Sequence, residues 1–149
     1  MADEFPPDDK RIPNEELLYL RVFPDPDCIR PIGNEGEYRP RSGEFRSDGP
    51  LSVDRGSMCT REQTRDRDTS RPYHVADIPA WVFRSQGCRV VWEPVEANPA
   101  HTSIYGDHFR QDGTKDGVPD GSLTGSQTKG VARQVKISLL NPAARLPAQ

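Results

Sequence analysis

The chain has 149 residues, 33% of them hydrophobic, with 15 prolines, 12 glycines and a formal net charge of -3. That apolar share lies below the roughly 45–50% of ordinary globular chains. No apolar run approaches the ~18 residues a membrane span needs. A transmembrane protein, a coiled coil and a large buried core are therefore excluded, and one small domain remains. Nucleic-acid binding is not expected, because phosphate neutralisation calls for a basic surface.

The charge is unevenly spread. Residues 1–27 hold eight acids against three bases, residues 28–110 balance, and residues 111–149 hold five bases against three acids. Residues 1–14, with Pro6, Pro7 and Pro13 among charges, are expected to form a flexible acidic arm, solvated rather than interacting. Sixteen of the 20 basic residues are Arg, as a GC-rich genome would give. Cys28, Cys59 and Cys88 are odd in number and widely spaced. With no leader pattern at the start, they point to a reducing, cytoplasmic setting.

Taken in chain order, residues 17–23 (Leu-Leu-Tyr-Leu-Arg-Val-Phe) read as a strand that stops at Pro24. Residues 24–50 read as a long irregular loop, punctuated by Pro and Gly; loops of that length are often functional or mobile. Residues 51–54 suggest a short strand. Ser57 reads as a helix cap with Glu62 in the first turns, and residues 60–68 as a solvated helix or a loop. Residues 73–93 give the clearest pattern: a strand to Ile78, a two-turn helix from Pro79 with stripe Ala80-Trp81-Val82-Phe83, a stop at Gly87, and a second strand to Trp92. Both tryptophans are expected in or beside the core. Residues 101–106 read as a strand, 111–126 as a flexible loop, and 127–135 as a helix turning into an extended end. Residues 143–149 read as a loose tail.

Chemical motifs are weak. His74, His101, His108 and the cysteines share no metal-ligand spacing, so no metal and no cofactor is expected. Asp112-Gly113, Asp116-Gly117 and Asp120-Gly121 recur every four residues without the terminal Glu of a calcium loop, and read as turns. His101-Thr102-Ser103 has the form of one tripeptide of a two-histidine phosphoesterase, but His74-Val75-Ala76 lacks the hydroxyl; the plain alternative is a histidine at a strand start, bonded to the Asn98 turn. Arg21, Ser52 and Glu93 occur in the order of an ADP-ribosyltransferase site, in which Arg would bind phosphate, Ser support the ribose and Glu stabilise an oxocarbenium-like centre. The plain alternative pairs Arg21 with a nearby carboxylate. No Gly-x-Ser-x-Gly elbow and no Gly-Lys-Ser/Thr phosphate loop exists.

Several stretches together resemble a family of small bacterial proteins: Leu18-Tyr19-Leu20-Arg21, Pro40-Arg41-Ser42-Gly43-Glu44-Phe45, Leu51-Ser52-Val53, Asn98-Pro99-Ala100-His101, Gly106, and Gln127-Thr128-Lys129-Gly130-Val131-Ala132-Arg133. Asn-Pro-Ala-His is the most specific of these. The chain departs from the family's pattern at Leu20, where an Arg is usual, in its single Ser42, and in a longer stretch between Gly106 and Thr128. The resemblance implies a bacterial cytosolic protein, an accessory of toxin or defence loci.

These readings predict one α+β domain over residues 15–142, with a short mixed sheet, two or three short helices and long loops. The leading functional expectation is a non-catalytic accessory whose partner is another protein, engaged through the 24–50 loop. The competing expectation is a small enzyme acting on a nucleotide or phosphorylated ligand. It requires Arg21, Ser52 and His101 as catalytic groups, and Lys129 and Arg133 as ligand-binding groups, to converge on one pocket.

Overall fold

The computed structural model describes residues 5–23, 29–31, 37–70, 73–110, 118–135 and 137–138. Its elements in order are β1 (Leu17–Val22), β2 (Ile29–Pro31), β3 (Glu37–Pro40), a 3-10 turn (Ser42–Phe45), β4 (Leu51–Arg55), α1 (Arg61–Asp66), β5 (His74–Pro79), α2 (Ala80–Ser85), β6 (Arg89–Trp92), β7 (His101–Tyr105), β8 (Phe109–Arg110), β9 (Val118–Pro119), α3 (Gly125–Ala132) and β10 (Ile137–Ser138). This is the expected α+β class in one small domain. The main sheet has the order β5-β1-β4-β7-β6, and β10-β3-β2 form a second, smaller sheet.

Every strand pairing is antiparallel, rather than mixed. The strand–helix–strand unit does not pair its own two strands: α2 has six residues, and β5 and β6 stand at opposite edges of the sheet with three strands between them.

Alternation decides which face is buried. Leu18, Leu20 and Val22 of β1, Leu51 and Val53 of β4, Val90 of β6 and Ile104 of β7 all point to one side. There they meet Val82 and Phe83 of α2 and Val131 of α3. The other side carries Tyr19, Arg21, Ser52, Asp54 and His101, partly roofed by α1. Two helices begin with a capping box: in α1 the Thr60 hydroxyl accepts from Gln63 N at 3.1 Å while Thr60 N donates to Gln63 Oε1 at 2.8 Å, and Thr124 and Gln127 repeat the device in α3. The cap of α1 is therefore Thr60 rather than Ser57. Gly87 ends α2 as expected, at φ +82°.

The described part of residues 24–50 corrects the loop expectation. Ile29, Tyr38 and Phe45 are buried in the common core, and the Phe45 ring meets Phe83 edge-on at 6.5 Å. Of the tryptophans, Trp92 packs against the core, whereas Trp81 is 45% exposed. Residues 111–117, with two of the three Asp-Gly pairs, Cys28, and the 143–149 tail lie outside the described residues.

Residues 5–14 also differ from the expected solvated arm: they run along the open edge of β6. Asp9 N donates to Val90 O at 2.8 Å, Val90 N donates to Asp8 Oδ1 at 2.9 Å and Trp92 N to Asp9 Oδ2 at 3.3 Å. Ile12 is buried. Arg84 of α2 holds the segment by donating to Asp8, Asp9 and Asn14. The acidic residues thus satisfy edge amides that would otherwise offer a pairing template. The Arg11 guanidinium, with backbone amides and against the opposing effect of burial, lowers the Asp9 pKa from 3.8 to about 2. Stability from this ionisation is fully present above the ordinary pKa of 3.8 and is lost as pH falls through about 2. Asp9→Asn is expected to cost about 1–3 kcal/mol at pH 7, the range for hydrogen bonds to a charged group. Urea midpoints of variant and parent should converge as pH falls from 4 toward 2 (~2 units across that titration); a constant gap would contradict this role.

Candidate functional site

The sequence-predicted residues fall into two clusters on opposite sides of the main sheet. On the open side, Tyr19 and Arg21 of β1, Ser52, Val53 and Asp54 of β4, Thr64 of α1, Arg67, Asn98 and His101 line a small cavity of about 80 Å³. Three of the expected residues, Arg21, Ser52 and His101, therefore do come together. They do so because each takes an open-face position on one of three adjacent strands, β1, β4 and β7.

The Asn98-Pro99-Ala100-His101 stretch builds one wall. Residues 95–98 form a tight turn, with Val95 and Asn98 exchanging backbone hydrogen bonds at 3.0 and 3.1 Å. The buried Asn98 side chain donates to Asp54 Oδ1 at 2.7 Å and accepts from Ala100 N at 3.1 Å. Pro99 O accepts from Trp92 Nε1 at 2.8 Å. His101 N donates to Asn98 O at 3.2 Å, the bond expected for a histidine at a strand start. The His101 ring lies with Nδ1 2.9 Å from Glu93 O and Nε2 3.2 Å from Ser52 Oγ. Asp54 is the buried anchor. Its Oδ2 accepts from Thr64 Oγ1 and Arg67 Nε, each at 2.7 Å. Among the described residues Arg21 makes no ion pair, contrary to the plain expectation; its guanidinium lies over the Tyr73 ring at 5.4 Å.

Two expected chemistries do not survive this geometry. In the ADP-ribosyltransferase arrangement Glu93 would join Arg21 and Ser52, but its carboxylate instead accepts from Tyr105 OH at 2.7 Å and does not line the cavity. In the two-histidine arrangement His74 and His101 would face each other. They sit on β5 and β7, separated by β1 and β4, with His74 on the core side and His101 on the other. Among the described residues no group of three or more His, Cys, Asp or Glu could hold a metal ion.

Lys129 and Arg133 belong to the second cluster. They line a groove of about 470 Å³ together with Arg39, Pro40, Arg41, Ser42, Gly43, Arg46 and Ala132. Five cations thus surround one space, and no carboxylate among the described residues lines it. The one acid of the 3-10 turn, Glu44, is turned aside, where its Oε1 accepts from Phe23 N at 3.2 Å. Arg39 Nε is buried with no hydrogen-bond partner among the described residues. Lys129 in the last turn of α3 and Arg133, its C-cap, stand four residues apart, a like-charge spacing that by itself opposes the helix. Sequence reasoning found the α3 pair but not the arginines of β3 and the 3-10 turn, which reach the groove only because α3 packs on that turn.

No helix among the described residues is long and apolar enough to cross a membrane. Comparison with family models, curated proteins and solved structures finds no match.

Proposed function

We propose that this chain is an accessory binding protein that docks a phosphorylated segment of a partner protein in the groove between β3, the 3-10 turn and α3. The observation that carries this reading is the set of five cations around one 470 Å³ space that no carboxylate among the described residues lines. Like charges held this close repel, and an anion relieves the repulsion. Arg offers forked donors that match phosphate oxygens, and the buried Arg39 Nε, with no partner among the described residues, is one donor in want of an acceptor. The net charge of -3 disfavours a long polyanion such as nucleic acid, which would meet acidic surface beyond the groove.

The 24–50 stretch supports this differently from the sequence expectation. Its described part is not a free docking loop: it packs on its own domain and contributes one wall of the groove. The competing enzyme needed all five candidate residues in one pocket, and they divide between two sides of a sheet. A bacterial, cytosolic setting among toxin or defence loci follows from the resemblance and belongs to this proposal.

Titration calorimetry with a phosphoserine peptide and its unphosphorylated twin tests the reading. The phosphopeptide should bind more tightly, with affinity falling as salt rises. Lys129→Glu with Arg133→Glu should weaken it about 10–100-fold, roughly 1.4 kcal/mol per tenfold. Equal affinity for the two peptides, an unaffected double variant, or tighter binding of an RNA oligonucleotide would each sink the proposal.

A further inference from the structure

Ser52 and His101 form a unit independent of the groove. We propose that Ser52 is an activated nucleophile, with His101 as its base, for acyl transfer from esters of small carboxylic acids.

The protonation of His101 follows from its partners. Glu93 O, 2.9 Å from Nδ1, is a carbonyl and can only accept. Nδ1 of the neutral ring therefore carries the proton, and Nε2 presents its lone pair. Nε2 faces Ser52 Oγ at 3.2 Å, so the hydroxyl donates to it. A nucleophile, a base and a group that orients the base is the arrangement that activates serine, here with a backbone carbonyl as the orienting group. Its parts are rigidly mounted. Ser52 lies within β4, the central strand, paired with Ser103 of β7. Glu93 is fixed by Glu93 N donating to His101 O at 3.0 Å and by its side chain's bond to Tyr105.

Ser52 is exposed to solvent on the open face, so an electrophile can reach it. The adjoining cavity of about 80 Å³ admits a small acyl group such as acetyl. Of the two arginines that line it, Arg67 is occupied by Asp54, whereas Arg21 has no ion pair among the described residues. Tyr19 is opposite Asp54 in the β1–β4 register, and carrying that register two residues on sets Arg21 across from Ser52. Its guanidinium rests over the Tyr73 ring at 5.4 Å, and turning that side chain back toward Ser52 would bring it to the oxyanion that develops during attack. In the reaction the Oγ–C bond forms as the hydroxyl proton passes to Nε2. The C–O bond to the leaving alcohol then breaks as Nε2 returns that proton to the alcohol oxygen. Water repeats the sequence, its proton passing through Nε2 to Oγ, and releases the carboxylic acid.

A serine merely paired with a structural histidine would not react this way. The full chain is treated with an ethoxy fluorophosphonate probe, in which an Oγ–P bond forms, fluoride leaves and the hydroxyl proton passes to Nε2. Labelling should map to Ser52 by mass spectrometry and be absent in Ser52→Ala. In His101→Gln it should slow by about 100-fold or more, within the usual range for loss of a general base. Labelling of the native chain should be lost when the fold is unfolded in urea, because an unfolded serine has no base beside it. This comparison needs no variant, so it stands even if His101→Gln perturbs folding. Hydrolysis of 4-nitrophenyl acetate should likewise be lost in Ser52→Ala. No labelling, labelling elsewhere, or a rate unchanged both by urea unfolding and by His101→Gln would overturn the proposal.

Discussion

Asp54→Ala will lower the stability of the fold by about 3–5 kcal/mol at neutral pH, the range for removing one partner of a buried ion pair. Asp54 is 5% exposed, and its two oxygens take three short hydrogen bonds, from Thr64, Arg67 and Asn98, each at 2.7 Å. These come from α1 with the residue that caps it, and from the turn before β7, so one carboxylate ties two separate chain segments to β4. Alanine would leave a guanidinium, an amide and a hydroxyl without their acceptor in a place water reaches poorly. Asp54→Asn keeps the shape and loses the charge, so a smaller loss is expected. Burial alone would push the Asp54 pKa up, but Arg67, Asn98 and Thr64 outweigh it and hold the pKa below 3.8. The contribution is therefore present above 3.8 and disappears as pH falls through the lower, folded-state value. Urea unfolding should show the full gap between parent and Asp54→Ala at pH 7, narrowing in acid. A gap of under about 1 kcal/mol at pH 7, no more than an exposed pair gives, would show that the carboxylate is not an anchor.

The acidic arm shows why the fold was only partly legible in the sequence. β1 and β4 alternate apolar and polar residues, and this pattern carries their buried face, whereas β7 opens on three polar residues, His101, Thr102 and Ser103. Arg21, Ser52 and His101 came into view through motif order and the His-Thr-Ser tripeptide, and it is the strand pairing that brings them to one face. Asp8 and Asp9 belong to a segment whose charge and prolines resemble a solvated tail, because composition does not show that a carboxylate will meet the edge amides of β6. β2 and β3 were hidden for a related reason. They are three and four residues long and each contains a proline, and the outer partner of β3, β10, arrives about a hundred residues later in the chain. The arginines of the groove depend on the same long-range packing. The capping boxes at Thr60 and Thr124 are different: Thr-x-x-Gln is written in the sequence twice, and this spacing was the local signal that would have placed both helix starts.

Gly106→Ala is the second substitution expected to act strongly, and it connects the fold to the proposed function. Gly106 follows β7, and its N–H donates to Gly121 O at 2.7 Å. A methyl group there would collide with Leu123 Cα and lie 2.5 Å from Ser122 O. Both are backbone atoms, so no side-chain rotation relieves the contact, and the 121–123 segment must move. Overpacking of a filled interior costs about 1–3 kcal/mol and sometimes more; with backbone on the receiving side, about 3 kcal/mol is expected. The displaced segment leads directly into α3, whose first turn is held by Gln127, which also accepts from Asp107 N at 3.0 Å and donates to Gln86 O at 3.0 Å. Lys129 and Arg133 ride on that helix. Gly106→Ala should therefore lower the Tm and, at temperatures where the variant remains folded, weaken phosphopeptide binding although no groove residue has changed. Gly43 lines the groove itself, and a methyl group there meets nothing within 4 Å, so Gly43→Ala should leave the Tm nearly unchanged. If Gly106→Ala and Gly43→Ala melt together, the close approach of residues 121–123 to Gly106 does not hold α3 in place, and the groove's geometry must be maintained from elsewhere.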